Sequence, residues 1–368
     1  MTHPKRALAL SAALLAARAG AAAPREPAPA PEVVEAARRE GVVVVHATTD
    51  KSSAAPLLEG FAALHPELRV EYEEMNTAVL HERALAAARG GGGVARGADV
   101  LWSSAMDLQM KLANDGYALP YASPEARFIP TWAVWKDEAF GTTFEPLGFV
   151  YDARRLAAGE VPASHAQLAR EVRANPERWR GKIATYDPAR SGIGFLVLTQ
   201  DERTDRGFVE AARAYGDAGV KLHATTAEMV RRVAAGELLL GFEAIGSYAL
   251  LARRSDPAIG IAYPRDYTLV LSRIALIPKS APHPNAARVF LDWLLSARGQ
   301  ELLARASVFA IRRDVEGEAT AAALTRSLGR SLRPIPVSPS LLLYLDHAKR
   351  ADFLRRWEAA VAPRTKGP

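Results

Sequence analysis

The chain has 368 residues, with 47 basic and 41 acidic side chains, a formal charge of +6 and no cysteine. Without cysteine there is no disulfide framework, no thiolate metal site and no lipoprotein acylation site. Basic and acidic residues are interspersed along the chain, which excludes the concentrated basic face a nucleic-acid partner would need.

Lys5 and Arg6 form a basic start, Ala7 to Ala17 is a small-residue apolar run, and Ala21 or Ala23 closes an A-x-A cleavage site. This order predicts a secretory signal peptide over 1–23, too short to span a membrane, followed by a Pro-rich spacer over 24–31. Its removal takes away Lys5, Arg6 and Arg18, leaving 44 basic against 41 acidic residues. No later segment reaches about eighteen uninterrupted apolar residues, so a soluble periplasmic monomer is expected.

Residues 32–40 read as a short helix closed by Gly41. Val42 to Ala47 is a nearly continuous apolar run, the pattern of a strand buried on both faces of a parallel sheet. A helix follows over 52–64, broken by His65-Pro66, then a strand over 68–72 and a helix over 78–89. A strand over 98–102 and a helix over 106–114 complete the third such unit. Repeated strand–turn–helix units predict an α/β domain with a parallel sheet and right-handed crossovers. Ligands of such sheets gather at the carboxyl ends of the strands. Thr48, Thr49, Asn76, Thr77, Ser103, Ser104 and Ala105 all fall on that edge. The polar ones also suit helix N-caps, but three hydroxyl- or amide-bearing turns on one edge point to a shared pocket.

Aromatic, Pro-punctuated segments occupy 117–150, and a strand over 147–151 carries the chain into a second lobe. That lobe opens with a helix over 164–174 and a strand over 182–184. Tyr186 to Leu198 then reads strand, turn, helix. Asp187-Pro188 starts the turn, and Ser191 and Gly192 bring bare backbone to the start of a helix. Unpaired N–H groups and the helix dipole favour an anion there, so Ser191 to Gly194 is a candidate carboxylate or phosphate cradle. Helices over 204–215 and 227–235 and strands over 220–223 and 238–242 follow, which sets Glu243, Ser247 and Tyr248 just past a strand end. Asp266 and Tyr267 precede a strand over 268–278, read as the return crossing. The remainder is helical, over 284–295, 297–305 and in two segments after Ser338. The predicted organisation is a discontinuous first lobe, 32–147 with 275–368, and a second lobe, 148–274, with a ligand cleft between them.

VVVVHATTD, ADVLWSSAMDLQMKLANDG, LGFVYDARRL, YDPARSGIGF, VAAGELLLGFEAIGSYA and PNAARVFLDWLLSARGQELLA occur in that order over about residues 32–313. This set resembles the periplasmic substrate-binding proteins of ABC importers, and more closely the branch with ferric-iron-binding and phosphate-ester-binding members. The resemblance implies a two-lobed type II binding-protein fold, α/β throughout, that closes on its ligand by a hinge and delivers it to ABC permease subunits in the inner membrane. It implies binding without catalysis and no cofactor.

Iron-binding members of that branch hold Fe³⁺ with adjacent tyrosines, whereas the matching place here reads Gly246-Ser247-Tyr248-Ala249. The first expectation is therefore no metal, and the alternative is a ferric-iron-binding protein of an iron importer with Tyr248 and Glu243 as its first ligands. A small oxyanion such as a phosphorylated sugar, a glycerate or an organic carboxylate fits the inventory better. Backbone N–H groups at Ser191 to Gly194 and Ser103 to Ala105 suit the anion, with Thr48, Thr49 and Thr77 assisting. Asp187, Glu243 and Asp266 would accept hydrogen bonds from ligand hydroxyls, and Tyr248 and Tyr267 would donate or offer a ring face. Arg83, Arg190 and Arg273 are candidate charge partners. The rival readings are a ligand sensor serving a membrane histidine kinase, whose cleft would look the same, and an exported hydrolase. Against the latter, the chain has no G-x-S-x-G elbow, no Walker loop and no H-E-x-x-H pair, position 85 after His81-Glu82 being Leu.

Overall fold

The computed structural model of the chain describes residues 29–90 and 97–363. The predicted signal peptide and most of the spacer lie outside the described residues.

Helix α1 (Pro31–Glu40), β1 (Val42–Ala47), α2 (Lys51–Leu64), β2 (Arg69–Glu74), α3 (Thr77–Ala88), β3 (Val100–Ser103) and α4 (Met106–Asn114) form the expected strand–helix units. β1 pairs in parallel with β2 and β3, and all six of its residues are buried, as an apolar run inside a sheet covered on both faces requires. Two short strands, β4 (Val134–Trp135) and β5 (Ala139–Gly141), lead to β6 (Glu145–Asp152), which crosses into the second lobe.

The second lobe carries α5 (His165–Ala174), α6 (Pro176–Trp179), β7 (Ile183–Tyr186), α7 (Gly192–Thr204), α8 (Phe208–Asp217), β8 (Lys221–His223) and α9 (Thr226–Ala234). It continues through β9 (Leu240–Ile245), α10 (Gly246–Ser255) and β10 (Ile259–Ala262). The return is made by β11 (Thr268–Leu271) and β12 (Ile274–Leu276), followed by α11 (Pro284–Leu295), α12 (Ala297–Arg305), α13 (Ala321–Leu328), β13 (Leu332–Pro334) and α14 (His347–Val361). One sheet runs β2-β1-β3-β12-β5-β4, and the other runs β13-β11-β6-β9-β7-β8 with β10 also on β6.

Three departures from the expected organisation matter for the site. The return crossing is two strands, not one: β11 pairs with β6 in the second sheet, β12 pairs with β3 in the first, and the chain changes sheets at Ser272-Arg273. Strand β9 ends at Ile245 rather than at 242, so Glu243 sits inside it. The C-terminal helix does not join the first lobe. Phe353, Trp357 and Ala360 of α14 bury themselves with Phe195 and Leu198 of the second lobe, while Leu341, in the 3₁₀ segment before α14, packs with Met106 and Met110 of the first. The contact is tight, since a Cβ on Gly216 of α8 would lie 2.5 Å from the carbonyl oxygen of Val361.

The two lobes touch beyond their crossing strands. Leu80, Met106 and Met110 of the first lobe share one buried cluster with Leu196, Val197 and Ile245 of the second. Among the described residues no helix is long and apolar enough to cross a membrane.

Candidate functional site

Where the crossing strands meet, Glu145 opens β6 and Arg273 lies between β11 and β12. Both side chains are almost wholly buried, and the pair is bidentate, with Arg273 Nε 2.8 Å from Glu145 Oε1 and Nη2 3.2 Å from Oε2. Thr143 donates to Oε1 at 3.0 Å and the Ser247 hydroxyl donates to Oε2, so one carboxylate gathers donors from both lobes. Arg273 Nη1 donates to Thr49 Oγ1 at 3.0 Å, and the guanidinium also bonds the Tyr248 hydroxyl. Burial raises the Tyr248 phenol, with Arg273 opposing that shift. Thr49, Asp50 and Ser53 of the first lobe and Ser247, Tyr248 and Leu251 of the second line a crevice of about 10 Å³ over Arg273. That is about the space of one water molecule.

The first-lobe edge holds the remaining predicted residues, several with partners of their own. Thr48 Oγ1 accepts from the Ser104 amide at 3.1 Å and lies 3.4 Å from the hydroxyls of Ser103 and Ser104. Ser103 Oγ accepts from the Ala105 amide at the start of α4. Asn76 caps α3 by accepting from the Val79 amide, the bland role its position allowed. Thr77 is half-buried at the head of α3.

On the facing lobe, Ser191 caps α7 by accepting from the Gly194 amide at 3.0 Å, and Asp187 Oδ1 accepts from the Ala189 amide within the turn. Gly192 is exposed, and a Cβ built on it would lie 3.7 Å from Thr77 Oγ1. The turn before α7 thus meets the head of α3 across the cleft. Arg190 is exposed, and Arg83 pairs with Glu73 at 2.7 Å.

Glu243, Asp266 and Tyr267 do not join this group. All three are engaged with His165 inside the second lobe: His165 Nε2 lies 2.7 Å from Glu243 Oε1, Nδ1 lies 3.1 Å from Asp266 Oδ1, and the Tyr267 ring stacks on the imidazole at 4.1 Å. The Tyr267 hydroxyl donates to Asp201 Oδ1 at 3.1 Å. Burial opposes a charge on His165, but its hydrogen bonds to Asp266 and Glu243 win and push it up to about 10. Glu243 departs from its expected place because β9 runs three residues further than the apolar pattern suggests. A bulge there sets Phe242 and Glu243 opposite the single residue Phe149, and Glu243 takes a left-handed φ of 58°.

Arg273 was legible as a charge partner, but Glu145, Asp50, His165 and Asp201 were not singled out. The one signal was Glu145 beside Pro146 at the mouth of an apolar strand, where an unpaired carboxylate would be costly.

Residues 57–323 match the family profile described as bacterial extracellular solute-binding protein. The substrate-binding protein of an ABC transporter from Agrobacterium tumefaciens is 38% identical, with a TM-score of 0.79 over 87% of this chain and 94% of that one. Two more distant structures share the fold. Iron-bound HitA from Pseudomonas aeruginosa is 15% identical at a TM-score of 0.68, over 87% of this chain and 99% of its own. The periplasmic binding protein AfuA from Actinobacillus pleuropneumoniae, with fructose-6-phosphate bound, is 16% identical at 0.69, over 88% and 99%. Among curated proteins none matches.

Proposed function

Because this chain belongs to the bacterial extracellular solute-binding proteins, among those that serve ABC transporters, we propose that it captures one small oxyanionic metabolite between its lobes in the periplasm. The ligand class is a phosphorylated sugar or glycerate, or an organic carboxylate, released unchanged to the permease of an importer. The observation that carries this reading is Gly192 at the head of α7 facing Thr77 at the head of α3, with 3.7 Å between a Cβ there and the hydroxyl. Helix-start amides and hydroxyls from opposite lobes suit an anion, and their dipoles add to the attraction. The crevice over Arg273 is too small for a metabolite while the lobes touch, so entry requires them to part at β6 and the β11–β12 junction.

Ferric iron is the second reading, favoured by Asp50 and Tyr248, oxygen ligands from opposite lobes lining one crevice. Arg273 opposes it, since its positive charge beside the phenol repels a second cation.

Mass spectrometry and elemental analysis of the purified protein separate the two. An organic phosphate or carboxylate, with affinity confirmed by calorimetry, supports the first, and iron without such an anion overturns it. Ser191→Asp sharpens the test, because Asp caps helices as well as Ser, so stability should hold within a few tenths of a kcal/mol. A carboxylate at the cradle should weaken anion binding at least about tenfold by like-charge repulsion. Unchanged affinity would remove the α7 turn from the site.

A further inference from the structure

The His165 cluster lies apart from the crevice over Arg273, and no step of ligand capture uses it. Its parts come from separate elements: His165 opens α5, Asp201 lies on α7, Glu243 on β9, and Asp266 precedes β11. His165, Asp201 and Glu243 are all buried, and one ligand atom from each lies within 4.8 Å of the others. Beside them is a cavity of about 20 Å³, lined by His165, Asp201, Asp205, Tyr215, Tyr267 and Trp357 among others, with no Lys or Arg in its walls. Three carboxyl groups therefore converge on a single imidazole.

A second observation points into the same cavity. Trp357 of α14 is 4% exposed, and its indole N–H is buried without a hydrogen-bond partner although the ring lines the cavity. Such a donor needs an oxygen acceptor there, and 20 Å³ is room for a water molecule.

We propose that His165 Nε2, Asp201 and Glu243 form a binding site for a divalent transition cation of the Zn²⁺ class, with a water in the cavity as fourth ligand. Imidazole with carboxylates is a donor set that suits Zn²⁺, and three protein ligands plus water is a common arrangement. The outer contact is already in place. Asp266 Oδ1 lies 3.1 Å from His165 Nδ1, so a proton held there leaves the Nε2 lone pair to the metal and fixes the ring. The water would accept the orphaned Trp357 N–H. Binding would release any proton on Nε2 to solvent, and the cation would take the place of the 2.7 Å contact between Nε2 and Glu243 Oε1. Bound there, it ties α5, α7 and β9 together, and the left-handed Glu243 is held by its ligand rather than by the bulge alone. Because β9 runs directly into Ser247 and Tyr248, the cation would brace the second-lobe wall of the crevice.

The test is equilibrium dialysis of the chelator-stripped full chain against Zn²⁺, with bound metal counted by elemental analysis. One equivalent is expected for the wild type. His165→Ala and Glu243→Gln should lose it, and Asp266→Asn, acting through the histidine, should weaken affinity about 10–100-fold. Tyr248→Phe, in the crevice, should keep one equivalent. No uptake by the wild type overturns the site, as does full uptake by His165→Ala and Glu243→Gln, or loss in Tyr248→Phe. Should the cluster variants unfold, Co²⁺ titration of the wild type decides. Visible bands of a four-coordinate centre at one equivalent support the site, and their absence overturns it.

Discussion

Arg273→Met tests how the two lobes are joined. The guanidinium is 3% exposed, its partner Glu145 is fully buried, and two of its three hydrogen-bonding nitrogens hold that carboxylate. Methionine fills much of the same space but donates nothing. Glu145 then keeps only the hydroxyls of Thr143 and Ser247 as donors and no compensating charge. Removing one partner of a buried ion pair costs about 3–5 kcal/mol, against at most about 1 kcal/mol for a pair screened by water. Equilibrium urea denaturation at neutral pH should place Arg273→Met in the first range. The double variant Arg273→Met with Glu145→Gln should recover at least about half of the loss, because the stranded charge rather than the lost contact dominates it. A single-variant cost below about 1 kcal/mol would refute the reasoning and mean that water reaches the pair.

Two further outcomes follow from geometry and titration. Gly192→Trp places a large ring where a Cβ already lies 3.7 Å from Thr77 Oγ1, so it should wedge the lobes apart. Small-angle scattering should record a larger radius of gyration, and an unchanged curve would mean that the α3–α7 approach does not limit closure. Asp107 is buried, and burial pushes its carboxyl up to about 6 from an ordinary 3.8. A raised folded-state value stabilises fully below about 4, and that contribution is lost as pH rises through about 6, so the ionised form strains the fold at neutral pH. Asp107→Asn should therefore gain on the wild type by about 1–3 kcal/mol between pH 4 and pH 7, read from urea midpoints. Parallel pH profiles would exclude a buried ionisation there.

Much of the first lobe was legible because its signals are local. Helix α4 was expected over the residues it occupies, since Ala105 and the Ser103-Ser104 turn start it and Gly116 follows its end. Strand β1 declared itself by an apolar run that only a sheet covered on both faces can bury. What escaped depends on partners distant in sequence. Ala139 to Gly141 is too short to show a period, yet β12 fixes it as a strand. The run 268–278 is apolar on both sides of Ser272-Arg273 and was read as one strand, although that polar pair is where the chain changes sheet. Glu243 and Tyr248 are five residues apart and were read as neighbours in one pocket. A two-residue bulge and the position of the strand end send one to His165 and the other to Arg273. The helical segments after Ser338 were assigned to the first lobe with the rest of 275–368, because nothing in the residues of α14 names the distant partners that Phe353 and Trp357 meet.

That last helix has a consequence for how the molecule matures. The side chains of Phe195 and Phe208, on α7 and α8, are covered by Phe353 and Trp357. Their oily surface therefore stays open to other chains until α14 has been made, however early the rest of that lobe assembles. A chain cut before His347 would keep its sheets yet expose this patch, and it should be recovered as sticky aggregates rather than as a shorter working receptor.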